Sequence, residues 1–274
     1  MQLRAKKSLG QNFLRDSNVI ERIVGALNLT SSDAVVEIGP GLGALTEGLV
    51  KKSGRVIAIE FDRDMVAHLE HTFSRFDNFH LIQTDALTVN FADIFAKPVH
   101  SGRVKLVANL PYNISTPILQ RLSLQRHLFS EFVLMFQREV VERITAKPGA
   151  RGRGFLSVLI ENAFDTEYLF DVPPTAFNPV PKVWSSVVRL IPKDSSVKNE
   201  ILFRDLLSRS FAQKRKTILN NLKAAYVDSA ELLEAAGIDG RRRAETLTLA
   251  EWVTLTAEID KRRKASPGAT PPLH

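Results

Sequence analysis

Two hydrophobic rhythms divide the chain. Behind a cap at Asp16 or Ser17, Ile20, Ile23, Val24 and Leu27 recur at helical spacing. Short runs rich in β-branched residues follow at 34–39, 55–60, 79–85, 105–110 and 131–137. Between them apolar positions return with a helical period, most clearly over 62–75 and 115–127. Strands that are apolar throughout and alternate with amphipathic helices predict a parallel sheet covered on both faces, a doubly wound α/β domain.

Past residue 140 the rhythm changes. The Gly- and Arg-rich stretch 147–154 reads as an exposed flexible loop. A helix near 155–164 and strands near 166–172 and 184–191 follow, with a proline-rich segment, 173–183, between the strands. That connection is too short for a helical crossover, so an antiparallel hairpin is expected at one sheet edge. From about residue 193 the pattern is helical only: Leu202, Leu206 and Leu207, then Ile218, Leu219 and Leu222, then Leu232 and Leu233 suggest three or four short helices. The expected division is a domain over 1–192 and a small helical domain over 193–274, with a disordered tail from about 264.

Composition adds limits. The 274 residues include no cysteine, which excludes disulfides, thiolate nucleophiles and cysteine zinc sites. His68 and His71 share a helix face without a third ligand at metal-like spacing, so no metal is expected. Neither a nucleophile elbow nor a Walker loop occurs. No apolar run reaches membrane length and the basic start has no signal-peptide core, so a cytoplasmic protein is expected. The formal charge of +7 favours an anionic partner. Arg4, Lys6, Lys7 and Arg15 contribute +4 of it with no acid among the first 15 residues. Lys214-Arg215-Lys216 and Arg241-Arg242-Arg243 are further basic clusters. Solvated helix faces and RNA contacts are equally open readings of each.

Candidate chemistry sits at the strand ends. The first strand runs into Glu37-Ile-Gly39-Pro40-Gly41-Leu-Gly43, where glycines let backbone approach a ligand closely. Glu60 closes the second strand, 21 residues beyond Gly39, placed to accept ribose hydroxyls. Asp85 follows the third strand, placed to meet an adenine amino group; helix capping and turn formation are the plain alternatives for these acids. A dinucleotide fingerprint would need glycine at 44, where alanine stands, and Pro40 removes an amide a pyrophosphate could use. A cofactor with one ribose and no phosphate fits better.

The fourth strand runs into Asn109-Leu110-Pro111-Tyr112. There the chain resembles the N6-adenine methyltransferases of class I fold and, more narrowly, the ribosomal RNA adenine dimethyltransferases. The resemblance extends over Gly10-Gln-Asn12-Phe-Leu14, Glu37 to Gly43, Glu60, Asp85, Asn109 to Tyr112, Phe177 to Val183 and a basic helix 211–216. It implies a class I, Rossmann-like fold with a mostly parallel seven-stranded sheet, S-adenosylmethionine as cofactor and S-adenosylhomocysteine as product. Asn109 and the Leu110 carbonyl would accept the hydrogens of the target amine, Pro111 would aim that carbonyl, and Tyr112 and Phe177 would sandwich the flipped base. Asn12, Leu14, Gly39, Gly41, Glu60, Asp85 and Asn109 would hold the cofactor, and Lys214, Arg215 and Lys216 would grip RNA.

The implied reaction is dimethylation of two adjacent adenines in a small-subunit (16S) rRNA hairpin loop, on an assembling subunit, by a monomer. Gly10, Gly237-Ile238 and Arg243-Ala-Glu245 look more like the small-subunit group. A large-subunit enzyme of the antibiotic-resistance type and a non-catalytic assembly factor are the alternatives.

Overall fold

The computed structural model describes residues 6, 10–95, 104–111 and 114–265. The chain forms two compact units, one of Met1–Val141 with Asp165–Pro192, the other of Glu142–Phe164 with Lys193–His274.

In the first unit, β1 (Phe13–Leu14) leads to α1 (Ser17–Ala26), capped by the Asp16 carboxylate, which accepts the Val19 N–H at 3.1 Å. Then come β2 (Ala34–Ile38), α2 (Thr46–Lys52), β3 (Arg55–Glu60), α3 (Arg63–Phe73), β4 (Phe79–Gln83), α4 (Phe91–Phe95), β5 (Val104–Asn109), α5 (Ser115–Leu124) and β6 (Glu131–Gln137). β7 (Phe164–Val172), β8 (Phe177–Asn178) and β9 (Ser185–Pro192) complete it. The seven-stranded sheet has the order β4-β3-β2-β5-β6-β9-β7. β2 pairs in parallel with β3 and β5, β3 with β4, and β5 with β6, while β9 runs antiparallel to β6. Val35, Val36, Ile57, Leu106, Val107, Val133 and Leu134 are buried because both faces of these central strands are covered. Strand order reverses between β2 and β5, which opens the crevice where such folds take ligands.

Two features escaped the hydrophobic pattern. β1 and β8 form a separate antiparallel pair, with Phe13 opposite Asn178 and Leu14 opposite Phe177. Two-residue strands carry no periodicity to read. Ser115 and Thr116, which resemble helix caps in sequence, lie inside α5, and Ser115 Oγ donates to the Pro111 carbonyl at 3.4 Å.

The second unit contains the end of α6 (Arg138–Ile144), then α7 (Phe155–Ala163), α8 (Glu200–Ser210), α9 (Ile218–Leu222), α10 (Ser229–Ala235) and α11 (Leu249–Ala265). Its core gathers Val158, Leu202, Leu206, Ile218, Leu233, Trp252 and Leu255. Because α7 packs on α8 and α11, the stretch 142–164 groups with the helical unit, and the expected boundary at 192/193 is one crossing among several.

Two expectations change here. The stretch 147–154 is anchored rather than loose. The buried Arg153 guanidinium donates to the Ala146 carbonyl (2.8 Å), Glu161 (2.6 Å) and the Leu247 carbonyl (3.3 Å). A buried guanidinium needs such partners because its desolvation costs several kcal/mol, on the order of the whole gain from pairing. Residues 211–216 form a loop, not a helix: Asn221 Nδ2 donates to the Ser210 carbonyl at 2.8 Å and to the Gln213 carbonyl at 3.2 Å, closing the end of α8. The final helix is long and ends at Ala265, and the tail expected beyond it lies outside the described residues. Arg262 pairs with Asp228 and Glu231, and Lys264 with Asp260, so the basic run continues α11 to Ala265. Among the described residues no helix is long and apolar enough to cross a membrane.

Candidate active site

At the carboxyl ends of β2, β3, β4 and β5 lies a cavity of about 290 Å³, near the lower end of the roughly 300–1,000 Å³ of small-molecule pockets. Gly39 and Gly41 shape its floor in the turn after β2. Gly39 has φ +67° and a Cβ there would meet nothing within 4 Å; at Gly41 (φ +58°) it would come within 3.1 Å of the Phe13 ring. A side chain at either position would strain the turn, and one at Gly39 would extend into open space.

Three carboxylates line the cavity, and each is differently engaged. Glu60, ending β3, accepts the Phe61 and Asp62 N–H groups on Oε1 at 2.9 Å each and the Gly41 N–H on Oε2 at 3.1 Å. Of about four lone-pair positions one remains, on Oε2. Burial raises the Glu60 pKa, against the pull of the three amides. It therefore braces the glycine turn while offering one further acceptor. Asp85 forms a turn, its Oδ1 accepting the Leu87 N–H at 2.8 Å, and among the described residues nothing bonds the second oxygen. Glu37 on β2 is fully buried, accepts the Thr46 hydroxyl at 2.6 Å, and is pushed up to about 7 by burial, with the Glu60 charge adding to it.

Asn109 closes β5, and its Nδ2 donates to the Asn12 carbonyl at 3.4 Å. That contact ties the N-terminal arm to the fourth parallel strand. Leu110 donates its N–H to the Met135 carbonyl at 3.3 Å, which fixes the chain as it leaves the sheet. The β1–β8 pair brings Leu14 beside Phe177, and Phe177, 3% exposed, lines the same cavity. Outside it, Lys6 Nζ meets Asp62 at 2.5 Å and Asp64 at 2.7 Å, while Gln11 Nε2 donates to Asp62 at 3.0 Å. Burial alone would raise Asp62; the bonds from Lys6, Gln11 and the Asp64 N–H overcome it and hold the carboxyl below its usual range.

A family model described as ribosomal RNA adenine dimethylase matches residues 2–261. The chain belongs to that family. Among ribosomal RNA adenine dimethylase relatives, the ribosomal RNA small subunit methyltransferase A of Pseudomonas putida is 42% identical over 267 residues, 96% of this chain and 98% of the relative. The protein of the same name from Alkaliphilus metalliredigens is 39% identical over 269 residues, 95% and 93% of the two chains. A solved dimethyladenosine transferase from Plasmodium falciparum aligns with a TM-score of 0.77 at 29% identity, covering 91% of this chain and 98% of that one. The 23S rRNA methyltransferase ErmE aligns with a TM-score of 0.66 at 25% identity, covering 91% and 100%.

Of the residues singled out in the sequence of this adenine dimethylase, Asn12, Leu14, Gly39, Gly41, Glu60, Asp85, Asn109, Leu110, Pro111 and Phe177 line one cavity. Tyr112 lies outside the described residues. Lys214, Arg215 and Lys216 stand exposed in the loop between α8 and α9. Several lining residues escaped the sequence reading, Gln11, Glu37 and Phe61 among them. Gln11 and Glu37 stood inside quoted motifs without a role. Phe61 is a largely exposed aromatic directly after the strand-end acid, and that juxtaposition was its only signal.

Proposed function

We propose that this chain transfers methyl groups from S-adenosylmethionine to the N6 amino groups of two adjacent adenines in small-subunit ribosomal RNA. The observation that carries the reading is the meeting of Asn109, Leu110, Pro111 and Phe177 with Gly39, Glu60 and Asp85 in one cavity. Among the described lining residues there is no Lys, Arg or His, so the cavity suits a phosphate-free cationic nucleoside rather than a dinucleotide. Glu60 and Asp85 hold the ribose and adenine ends, and the space over Gly39 receives the amino-acid arm. Bound there, S-adenosylmethionine supplies an electrophilic methyl group on a sulfonium.

The exocyclic nitrogen of adenine is a weak nucleophile because its lone pair is delocalised into the ring. The Asn12 carbonyl holds Asn109 Nδ2, which leaves Oδ1 to accept one amine hydrogen. The Leu110 carbonyl, held in direction by Pro111, accepts the other. With both hydrogens bonded, the nitrogen becomes pyramidal and presents its lone pair for in-line attack; its bond to the methyl carbon forms as the carbon–sulfur bond breaks, and the methylated nitrogen then releases a proton to water. Positioning and fixed dipoles supply the catalysis, and no strong base is needed. Phe177 and Tyr112 stack the extruded base, at about 1–3 kcal/mol per base.

The small-subunit reading draws on relatives at 39–42% identity, against 25% for the large-subunit enzyme ErmE. The substrate is the assembling subunit in the cytoplasm, met by a monomer whose helical domain contributes the backbone grip. The test is transfer of labelled methyl to undermethylated small subunits, large subunits and free RNA in parallel, read by nucleoside mass analysis. Dimethyladenosine on small subunits alone is expected. Label on large-subunit RNA, or cofactor binding without transfer to any substrate, would sink the reading.

A further inference from the structure

The segment that follows Phe177 is built unlike an ordinary surface loop. Residues 178–184 are exposed except for the half-buried Pro181, yet they carry Val180 (62% exposed), Val183 (42%) and Trp184 (45%). Pro179 and Pro181 fix φ at two of the seven positions, so the loop holds its shape at little entropic cost. Lys182 sits exposed between the apolar side chains. Three large apolar side chains exposed within five residues, 180–184, are a patch rather than one scattered hydrophobe, and such patches mark binding surfaces.

The loop is continuous with the site at both ends. Phe177 lines the cavity, and the Trp184 carbonyl accepts the Arg138 N–H at 2.9 Å, directly past the carboxyl end of β6. Asn109 pairs with Met135 on β6, and Ser185 on β9 pairs with Gln137. Two strand spacings of about 4.8 Å and three residues of rise at about 3.3 Å place the backbone of Trp184 about 14 Å from that of Asn109. That is too far to touch a base held at Asn109, but it suits the next nucleotide of the same strand. Aromatic faces with an interleaved cation are the surface that takes unpaired nucleotides.

Resting on the adenine substrate above, we propose that Trp184 is a stacking platform for an unpaired base flanking the target adenine, with Lys182 meeting the adjoining phosphate. The platform holds the flanking nucleotide splayed while its neighbour occupies the cavity. It acts in substrate binding, outside the reacting atoms.

The molecule provides its own probe, because it has two tryptophans and Trp252 is 0% exposed. Titrating the full-length protein with an RNA stem-loop carrying two adjacent loop adenines should quench the solvent-accessible emission saturably. The Trp184→Ala variant should lose that quench and bind the stem-loop at least about fivefold more weakly. With small subunits its KM should rise while kcat stays near wild type, and Trp184→Phe should restore binding. Wild-type affinity and KM in Trp184→Ala, with wild-type transfer intact, would overturn the platform and leave the function standing. Retained stem-loop affinity with weakened subunit binding would also overturn it, assigning the loop to a ribosomal protein. If no substrate accepts methyl, the function fails, and the stem-loop titration alone still decides the stacking.

Discussion

In the proposed reaction Asn109 would work through two atoms with different tasks: Nδ2, which is held by the Asn12 carbonyl, and Oδ1, which would meet the substrate amine. Asn109→Ala removes both, so methyl transfer should fall by a factor of about 10² to 10³, the usual cost of one preorganised dipole. Subunit binding should survive, and the transfer is compared at saturating cofactor because Asn109 also lines the cofactor cavity. Single-turnover transfer at near wild-type rate would refute amine positioning. Glu37 poses a different residue-scale question. Its folded pKa of about 7 lies above the ordinary carboxylate value, so between roughly pH 4.5 and 7 the folded chain keeps a proton that the unfolded chain has lost. Stability should therefore fall as pH rises through that window, by at most about 3 kcal/mol. Glu37→Gln should flatten this part of the profile and gain stability at pH 8. Thermal melts across pH check it, and parallel profiles for the two proteins would show that Glu37 is not the group responsible.

Among the elements, the parallel strands were legible because a strand buried on both faces must be apolar throughout its middle, as 56–59 and 132–136 are. What stayed hidden depends on single long-range contacts. Nothing local in Phe13-Leu14 announces a partner at Phe177-Asn178. Nothing in 147–154 shows that Arg153 turns inward to Glu161. The basic run 211–216 looked helical because its composition allows it, and only the reach of Asn221 back to Ser210 ends α8 there. Tyr112 was nominated by the motif and lies outside the described residues. The N-terminal arm shows what such contacts do. Its charge suggested RNA, yet Lys6 is engaged by Asp62 and Asp64, two and four residues beyond Glu60. Lys6 is thus clipped beside the cavity by a partly exposed, salt-sensitive ion pair. Lys6→Ala should weaken cofactor binding up to about fivefold, with kcat at saturating cofactor unchanged. Calorimetric titration giving the wild-type Kd at low and high salt would detach the clip from cofactor binding.

At the scale of the whole molecule, the excess of +7 is carried by only part of the basic inventory, the part that ion pairs leave over. Much of the basic inventory is committed internally: Lys105 and Arg189 to Glu131, Arg153 to Glu161, Arg242 to Glu251, Arg262 to Asp228. Arg241 pairs with Asp239, so the 241–243 cluster is largely accounted for by the helical unit's own loop. The loop at 214–216 differs, since three consecutive cations stand exposed there. Such an arrangement costs the fold some repulsion, which a nearby polyanion would relieve. Replacing Lys214, Arg215 and Lys216 together with alanine should leave the melting temperature unchanged or slightly higher. Binding to small subunits should weaken, and the slope of log affinity against log salt should drop by about 2–3, since each phosphate that is no longer neutralised takes roughly 0.7–0.9 from it. Filter binding over a salt series measures both. A weakened but equally steep line would mean that the loop acts by shape, and an unchanged line would remove it from the RNA footprint and leave the first unit to supply the electrostatic grip.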